Sequence, residues 1–288
     1  MVMACFLIAP FSCCPSAYLY NLIWNVGHGQ GGELVSQFAS HEIQRRLEQH
    51  EKFLSDITQA FIDTFVQVNA DLATEPYIEP LYAGTTACVG LLRNSQLICA
   101  NVGDSRAVCA RRQSLGDDAG GGNVHYHAIP LTQDQNPDWA PELARIEQMG
   151  GFVSPPPEPG LSARVWLDPD CKQIGLAMAR SLGDYAVKEI GVIAEPIVTV
   201  HTIQPDDEFV IFATDGVWEF ISSQEAVDVV GTHLSQYDDA TKACQALMEL
   251  AAERWHEEEG DYRDDITALV VRLPLLWMEA SPTSNNHS

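Results

Sequence analysis

Carboxylates at the ends of apolar, strand-like runs are the first chemical feature of this chain. The run EFVIFATDG places Asp215 after an apolar segment and before Gly216, where the backbone can turn away and leave the carboxylate in a cleft. The run DYRDDITALVV places Asp264 and Asp265 just ahead of a second such segment, and Asp104 in NVGDSRAV falls at the turn between two more. Oxygen ligands of this kind suit hard divalent cations such as Mg²⁺ and Mn²⁺, which keep several waters and need only one or two carboxylates each. Any one of these aspartates alone reads as a turn or cap residue. Three at strand ends point to a cation-binding cleft.

The elements that must position them follow from periodicity. After Glu33 the apolar residues Leu34, Val35, Phe38, Ile43 and Leu47 recur at helical spacing, and a second helical stretch is expected from Phe53 to Leu72. From Thr85 the pattern shortens to strand-like runs at Thr86 to Leu92, Gln96 to Val102, Ala107 to Ala110 and Tyr126 to Leu131, an antiparallel meander. A glycine-rich turn, SLGDDAGGGN, interrupts it at 114–123. Pro141 to Met149 reads as a short helix ended by Gly150 and Gly151, and SPPPEPG at 154–160 as an exposed loop. Strands are expected again at Ile197 to Ile203 and Glu208 to Ala213, helices at Ser223 to His233 and Asp239 to Glu257, and a last strand at Ile266 to Leu273. The tail from Glu279 is expected to be disordered. Strands grouped between helices, with no βαβ alternation, predict an α+β fold of antiparallel sheets. The run from Phe209 to Ala213 is apolar on both faces, so it must be covered on both.

The 288 residues carry 40 acidic against 16 basic side chains, a net charge of -24. Such a surface argues against nucleic acid or an anionic membrane as partner, since both are gripped by releasing counterions to Lys and Arg. The eight cysteines are scattered without a zinc spacing and read as reduced thiols. Met1 to Gly32 holds no charged residue. It lacks the positive start of a signal peptide, and prolines at 10 and 15 cut its apolar run short of the ~20 residues a spanning helix needs. The expectation is a monomer in the cytoplasm or nucleus.

Seven motifs in order, GHGQGG (27–32), AGTTA (83–87), ANVGDSRAV (100–108), LTQDQNPDWAPELARIEQMGG (131–151), GLAMARSLGD (175–184), FATDGVWEFIS (212–222) and RDDITALVV (263–271), resemble the metal-dependent, type 2C serine/threonine protein phosphatases. The resemblance spans 27–273 and implies a central antiparallel β-sandwich flanked by helices, an α-β-β-α layering, with two Mg²⁺ or Mn²⁺ ions in a cleft at one end. It implies phosphoprotein substrates, attacked by a water that the metals activate. Matched position by position, Asp215 and Asp264 correspond to metal ligands, and Gly27 to a ligand through its backbone carbonyl. His28 corresponds to the proposed general acid, a role suited to a side chain that titrates near neutrality. Asp104 corresponds to a residue helping to hold a weaker third metal. Arg106 is expected to pair with a nearby carboxylate, Asp184 and Glu219 to lie close to the cleft, and Gln135 stands where a histidine is common.

One region departs from the pattern. The family motif is DGHGG, whose aspartate bridges both metals, and the residue before Gly27 here is Val26, which offers no oxygen. The family's upstream phosphate-binding arginine and acidic pair also lack counterparts, since nothing before Glu33 is acidic and the first arginine is Arg45. These departures predict a divergent apolar segment over 1–26, foreign to the fold, a sheet lacking its first strand, and a tail over 274–288. They also set a second reading beside the enzyme, a catalytically impaired pseudophosphatase acting as a binding module.

Overall fold

Successive side chains of a strand point to opposite faces, and residues 87–92 are buried on both. Ala87, Val89 and Leu91 join one apolar cluster, while Cys88 and Leu92 join another. That strand therefore lies in an inner layer. The computed structural model describes residues 8–11, 14–22, 27–113, 124–157 and 161–273. Val26, the glycine-rich turn at 114–123, part of the proline-rich loop and the tail lie outside the described residues.

In chain order, the first half contains β1 (Ile8–Phe11), β2 (Cys14–Leu22), β3 (Gly27–His28), α1 (Gly32–Gln49), α2 (Ile57–Leu72), β4 (Gly84–Thr85) and β5 (Ala87–Arg93). Next come β6 (Gln96–Val102), β7 (Arg106–Gln113), β8 (His125–Pro130), α3 (Ala140–Gln148), β9 (Phe152–Ser154), β10 (Arg164–Trp166) and β11 (Leu182–Gly183). The last third holds α4 (Tyr185–Lys188), β12 (Ile197–Thr202), β13 (Asp207–Ala213), α5 (Asp215–Trp218), α6 (Ser223–Tyr237), α7 (Ala240–Glu259) and β14 (Ala268–Arg272). The second long helix starts at 57 because residues 51–55 turn and Asp56 caps it, accepting a hydrogen bond from the Gln59 backbone N–H.

Two sheets form the centre. One runs β1-β2-β5-β6-β12 and the other β14-β13-β7-β8, all pairs antiparallel. Helices α1 and α2 cover the first through Ile43, Leu47, Phe61 and Phe65, and α6 and α7 cover the second through Val227, Val230, Leu247 and Trp255. Between the sheets lies a third cluster that includes Cys88, Cys99, Cys109, Val210, Phe212 and Leu269. The sheets approach so closely that a Cβ on Gly90 would stand 2.6 Å from the Phe212 ring. This is the expected α-β-β-α layering. Among the described residues no helix is long and apolar enough to cross a membrane.

The edge of β5, expected to be bare, carries a partner strand. β2 pairs with β5 from Ala17↔Arg93 to Leu22↔Cys88, and β1 folds back on β2. The edge of β5 needs partners for its N–H and C=O groups, and an uncharged stretch rich in tyrosine and leucine has the strand propensity to supply them.

At the far edge of the sandwich the buried Asp207 accepts hydrogen bonds from His201 Nε2 (2.7 Å), Arg111 Nε (2.7 Å) and the Gln204 N–H (2.9 Å). Burial alone would raise its pKa, but these donors outweigh it and hold the carboxyl well below the usual carboxylate range. A folded-state pKa below the unfolded one contributes stability fully above about pH 4, lost as pH falls through the depressed value. Asp207→Asn should therefore cost about 2–4 kcal/mol at neutral pH and flatten the loss of stability below about pH 4. Urea unfolding across pH measures both; an unchanged acid limb would remove Asp207 as its origin.

Candidate active site

The strand register gathers the carboxylates. Ala213 of β13 lies opposite Arg106 of β7 on one side and Ala268 of β14 on the other. The chain leaving β13, entering β14 and turning into β7 thus meets at one end of the sandwich. Asp215, Asp264 and Asp104 sit in those segments and line one cleft of about 500 Å³ together with His28. Gly27 pairs with Thr85 through β3 and β4, so its carbonyl lies beside His28 in the same strand.

Local bonds fix each carboxylate. The Thr214 N–H donates to the Thr267 carbonyl (3.1 Å), the Thr214 hydroxyl donates to the Asp265 carbonyl (3.0 Å), and the Thr267 N–H donates back to that hydroxyl (3.3 Å). This staple holds the start of α5 against the segment carrying Asp264. Gly216 is required there, since a Cβ would lie 2.4 Å from the Asp265 carbonyl oxygen. The Gly216 N–H donates to Asp215 Oδ1 (2.9 Å), and its carbonyl accepts from the Trp255 indole (2.8 Å). Asp104 is set by the β6–β7 turn, where the Gly103 N–H donates to Gln135 Oε1 (2.6 Å) and the Gln135 N–H donates to the Gly103 carbonyl (3.1 Å). Gln135, fully buried, thus braces the turn of Asp104 from the position where a histidine is common. Arg106 pairs with Asp134 through two nitrogens, the carboxylate partner the sequence predicts, and it also lies over the Trp218 ring.

His28 has a partner that sequence reasoning missed. Its Nε2 lies 2.7 Å from Asp184 Oδ1. Asp184 adopts a left-handed conformation (φ 52°, ψ 46°) after Gly183, and its carboxylate fills the space where a Cβ on Gly84 would stand, 2.0 Å away. The SLGD motif marked an aspartate near the cleft; the tertiary pairing of β4 with β11, which turns it onto His28, had no sequence signal.

The electrostatics are those of an unneutralised acidic cluster. Asp104, Asp215, Glu219, Glu259, Asp264 and Asp265 all line the cleft. Burial, then the charge of Asp264, pushes the Asp215 carboxyl up to about 7. Burial, then Asp215, raises Asp104 well above the usual range, and burial, then Asp264, raises Glu219. Within the cleft lining, Asp104 Oδ1 is buried without a hydrogen-bond partner. A buried oxygen without a donor, crowded by like charges, fits a hard divalent cation. Among the described residues, one three-ligand grouping has all its ligand atoms within 4.8 Å of one another, Cys109, His201 and Asp207. It lies outside the cleft, and Arg111 already occupies Asp207, so a cation there would face a guanidinium.

Solved structures share this architecture. A serine-threonine phosphatase 2C of Toxoplasma gondii superposes with a TM-score of 0.71 at 21% identity, over 89% of this chain and 84% of that one, and a sex determining protein of C. elegans with 0.68 at 17%, over 92% and 59%. The protein phosphatase 2C family profile matches residues 1–260, and the chain belongs to that family. Probable protein phosphatase 2C 75 of Oryza sativa subsp. japonica is 35% identical over 77% of this chain and 49% of its own length; probable protein phosphatase 2C 73 of Arabidopsis thaliana is 36% identical over 75% and 54%. The chain spans about half the length of these curated relatives.

A raised Asp215 pKa means that the ion-free folded state holds a proton the unfolded chain releases, so its stability falls as pH rises from about 4 through 7. A cation must displace that proton and binds better at higher pH. Mn²⁺ about a hundredfold above its dissociation constant should raise Tm by about 5–10 °C, more at pH 8 than at pH 6, and Asp215→Asn should abolish the gain. Scanning calorimetry with and without Mn²⁺ decides; a gain surviving in Asp215→Asn would put the cation elsewhere.

Proposed function

We propose that this chain hydrolyses phosphoserine and phosphothreonine esters of proteins with Mg²⁺ or Mn²⁺ as cofactor. The observation that carries this reading is the convergence of Asp104, Asp215, Asp264 and the Asp184-held His28 in one cleft of a protein phosphatase 2C chain. Asp215, Asp264 and the Gly27 carbonyl would hold the metals, with Asp104 supporting a weaker one. When bound, the metals lower the pKa of water and neutralise charge on the phosphoryl oxygens. The chain's own groups do the rest. Six carboxylates repel a phosphate dianion from the cation-free cleft, so substrate entry depends on metal loading. Asp184 fixes the orientation of the His28 ring, which supports proton donation to a departing serine or threonine alkoxide.

A second reading rests on one residue. Val26 stands where the family carries its bridging aspartate, and two cations without that anion repel each other. A binding module that docks phosphoproteins without cleaving them follows from that departure.

Mn²⁺-dependent release of phosphate from a phosphothreonine peptide separates the two. The expected result is hydrolysis that falls at least about a hundredfold in Asp215→Asn. Hydrolysis confined to Val26→Asp, or absent from both, would assign the chain to the binding role.

A further inference from the structure

The cleft contains one charge that the reading above does not use. Arg164 lines it amid the carboxylates. Among the described residues it makes no ion pair, and one nitrogen, Nη1, donates to the Gly175 carbonyl (2.5 Å). This exposed guanidinium is carried into the cleft by a backbone separate from the segments that bear Asp104, Asp215 and Asp264.

That backbone is the β9–β10 hairpin, separate from both central sheets. Val165 points inward to a small apolar cluster with Ile146, Leu176 and Val187, and its N–H and C=O bond the Leu176 backbone at 2.8 and 3.1 Å. Alternation along β10 turns Arg164 and Trp166 to the other face. There the Trp166 indole donates to the Ser154 hydroxyl (3.0 Å), and its ring lies where a Cβ on Gly175 would sit at 2.6 Å. The hairpin is thus braced from both faces. The charge of Arg164 acts on two other residues of the lining, opposing the upward shifts of both Glu219 and Tyr262.

We propose that Arg164 receives the substrate's phosphate monoester, a planar guanidinium delivered over the carboxylate cleft by the β9–β10 hairpin. A phosphate dianion carried by a peptide is the ligand whose geometry matches a guanidinium fork. With Nη1 tied to Gly175, Nε and Nη2 keep one N–H edge for the phosphate oxygens. Among the described residues Arg164 is the arginine that lines this cleft, while Arg106 of the neighbouring pocket is bound to Asp134. The inference rests on the phosphatase reading for its ligand, but its test does not require turnover.

The probe is a fluorescent peptide carrying a phosphonate analogue of phosphothreonine, with the unphosphorylated peptide as reference, titrated by anisotropy in Mn²⁺ against the full chain. Arg164→Ala should weaken phosphonate binding about tenfold or more. Arg164→Lys should recover part of the loss, and the reference peptide and Tm should be unaffected. Equal affinity of wild type and Arg164→Ala for the phosphonate peptide would overturn the proposal. So would an equal loss for the reference peptide, which would reduce Arg164 to a brace for Gly175. Parallel hydrolysis assays keep the two readings apart. Binding lost in Arg164→Ala without turnover in the wild type sinks the hydrolytic reading alone, and turnover with unchanged binding sinks this one alone.

Discussion

Asp215 and Asp264 carry like charge into the same cleft, and a set of bonds made by the Thr214 backbone and hydroxyl holds them there. Each bond in that staple joins the end of β13 to the entry of β14, so the repulsion between the carboxylates is opposed by the pairing of two buried strands. Losing the strand register by one residue would turn every side chain of β13 to the other face and scatter the cluster. The apolar alternation that builds the core and the acidic constellation at its end are therefore one constraint: Val210 and Phe212 facing one layer and Phe209, Ile211 and Ala213 the other determine where Asp215 emerges.

The same dependence runs through the rest of the cleft. Asp104 reaches it because Gly103 allows a tight β6–β7 turn under Thr86 and Gln135 fills the hydrogen bonds of that turn. His28 reaches it because three two-residue strands, β3, β4 and β11, place Asp184 beside the ring. Glycines at 84, 103 and 216 stand where a side-chain carbon would meet a carboxylate, a threonine or a carbonyl oxygen. The groups that line the cleft are thus positioned by close backbone approach.

Much of this was legible in the sequence. Carboxylates after or before doubly apolar runs were readable as strand-end ligands, and the grouping of strands between helices predicted the layers. Residues whose roles depend on tertiary approach were not. Asp184 stood in a motif with no sign that it would face His28, Gln135 read only as a departure from a histidine, and Arg164 sat after a proline-rich loop with nothing to indicate a cleft. The N-terminal stretch carries no charge to mark a strand pattern, and its tyrosines and leucines, with the open edge of β5, decide that residues 14–22 pair.

The layer between the sheets has a chemical side as well. Cys88, Cys99 and Cys109 are sealed there, and burial raises all three thiols, that of Cys99 to about 12. A thiol that cannot ionise is a poor target for peroxide or alkylating agents. Among the described side chains Cys171 is the cysteine with access to solvent. Oxidant damage to the three interior sulfurs must wait for the sandwich to open, so their modification would register unfolding events in the cell, a chemical clock of how often this domain comes apart.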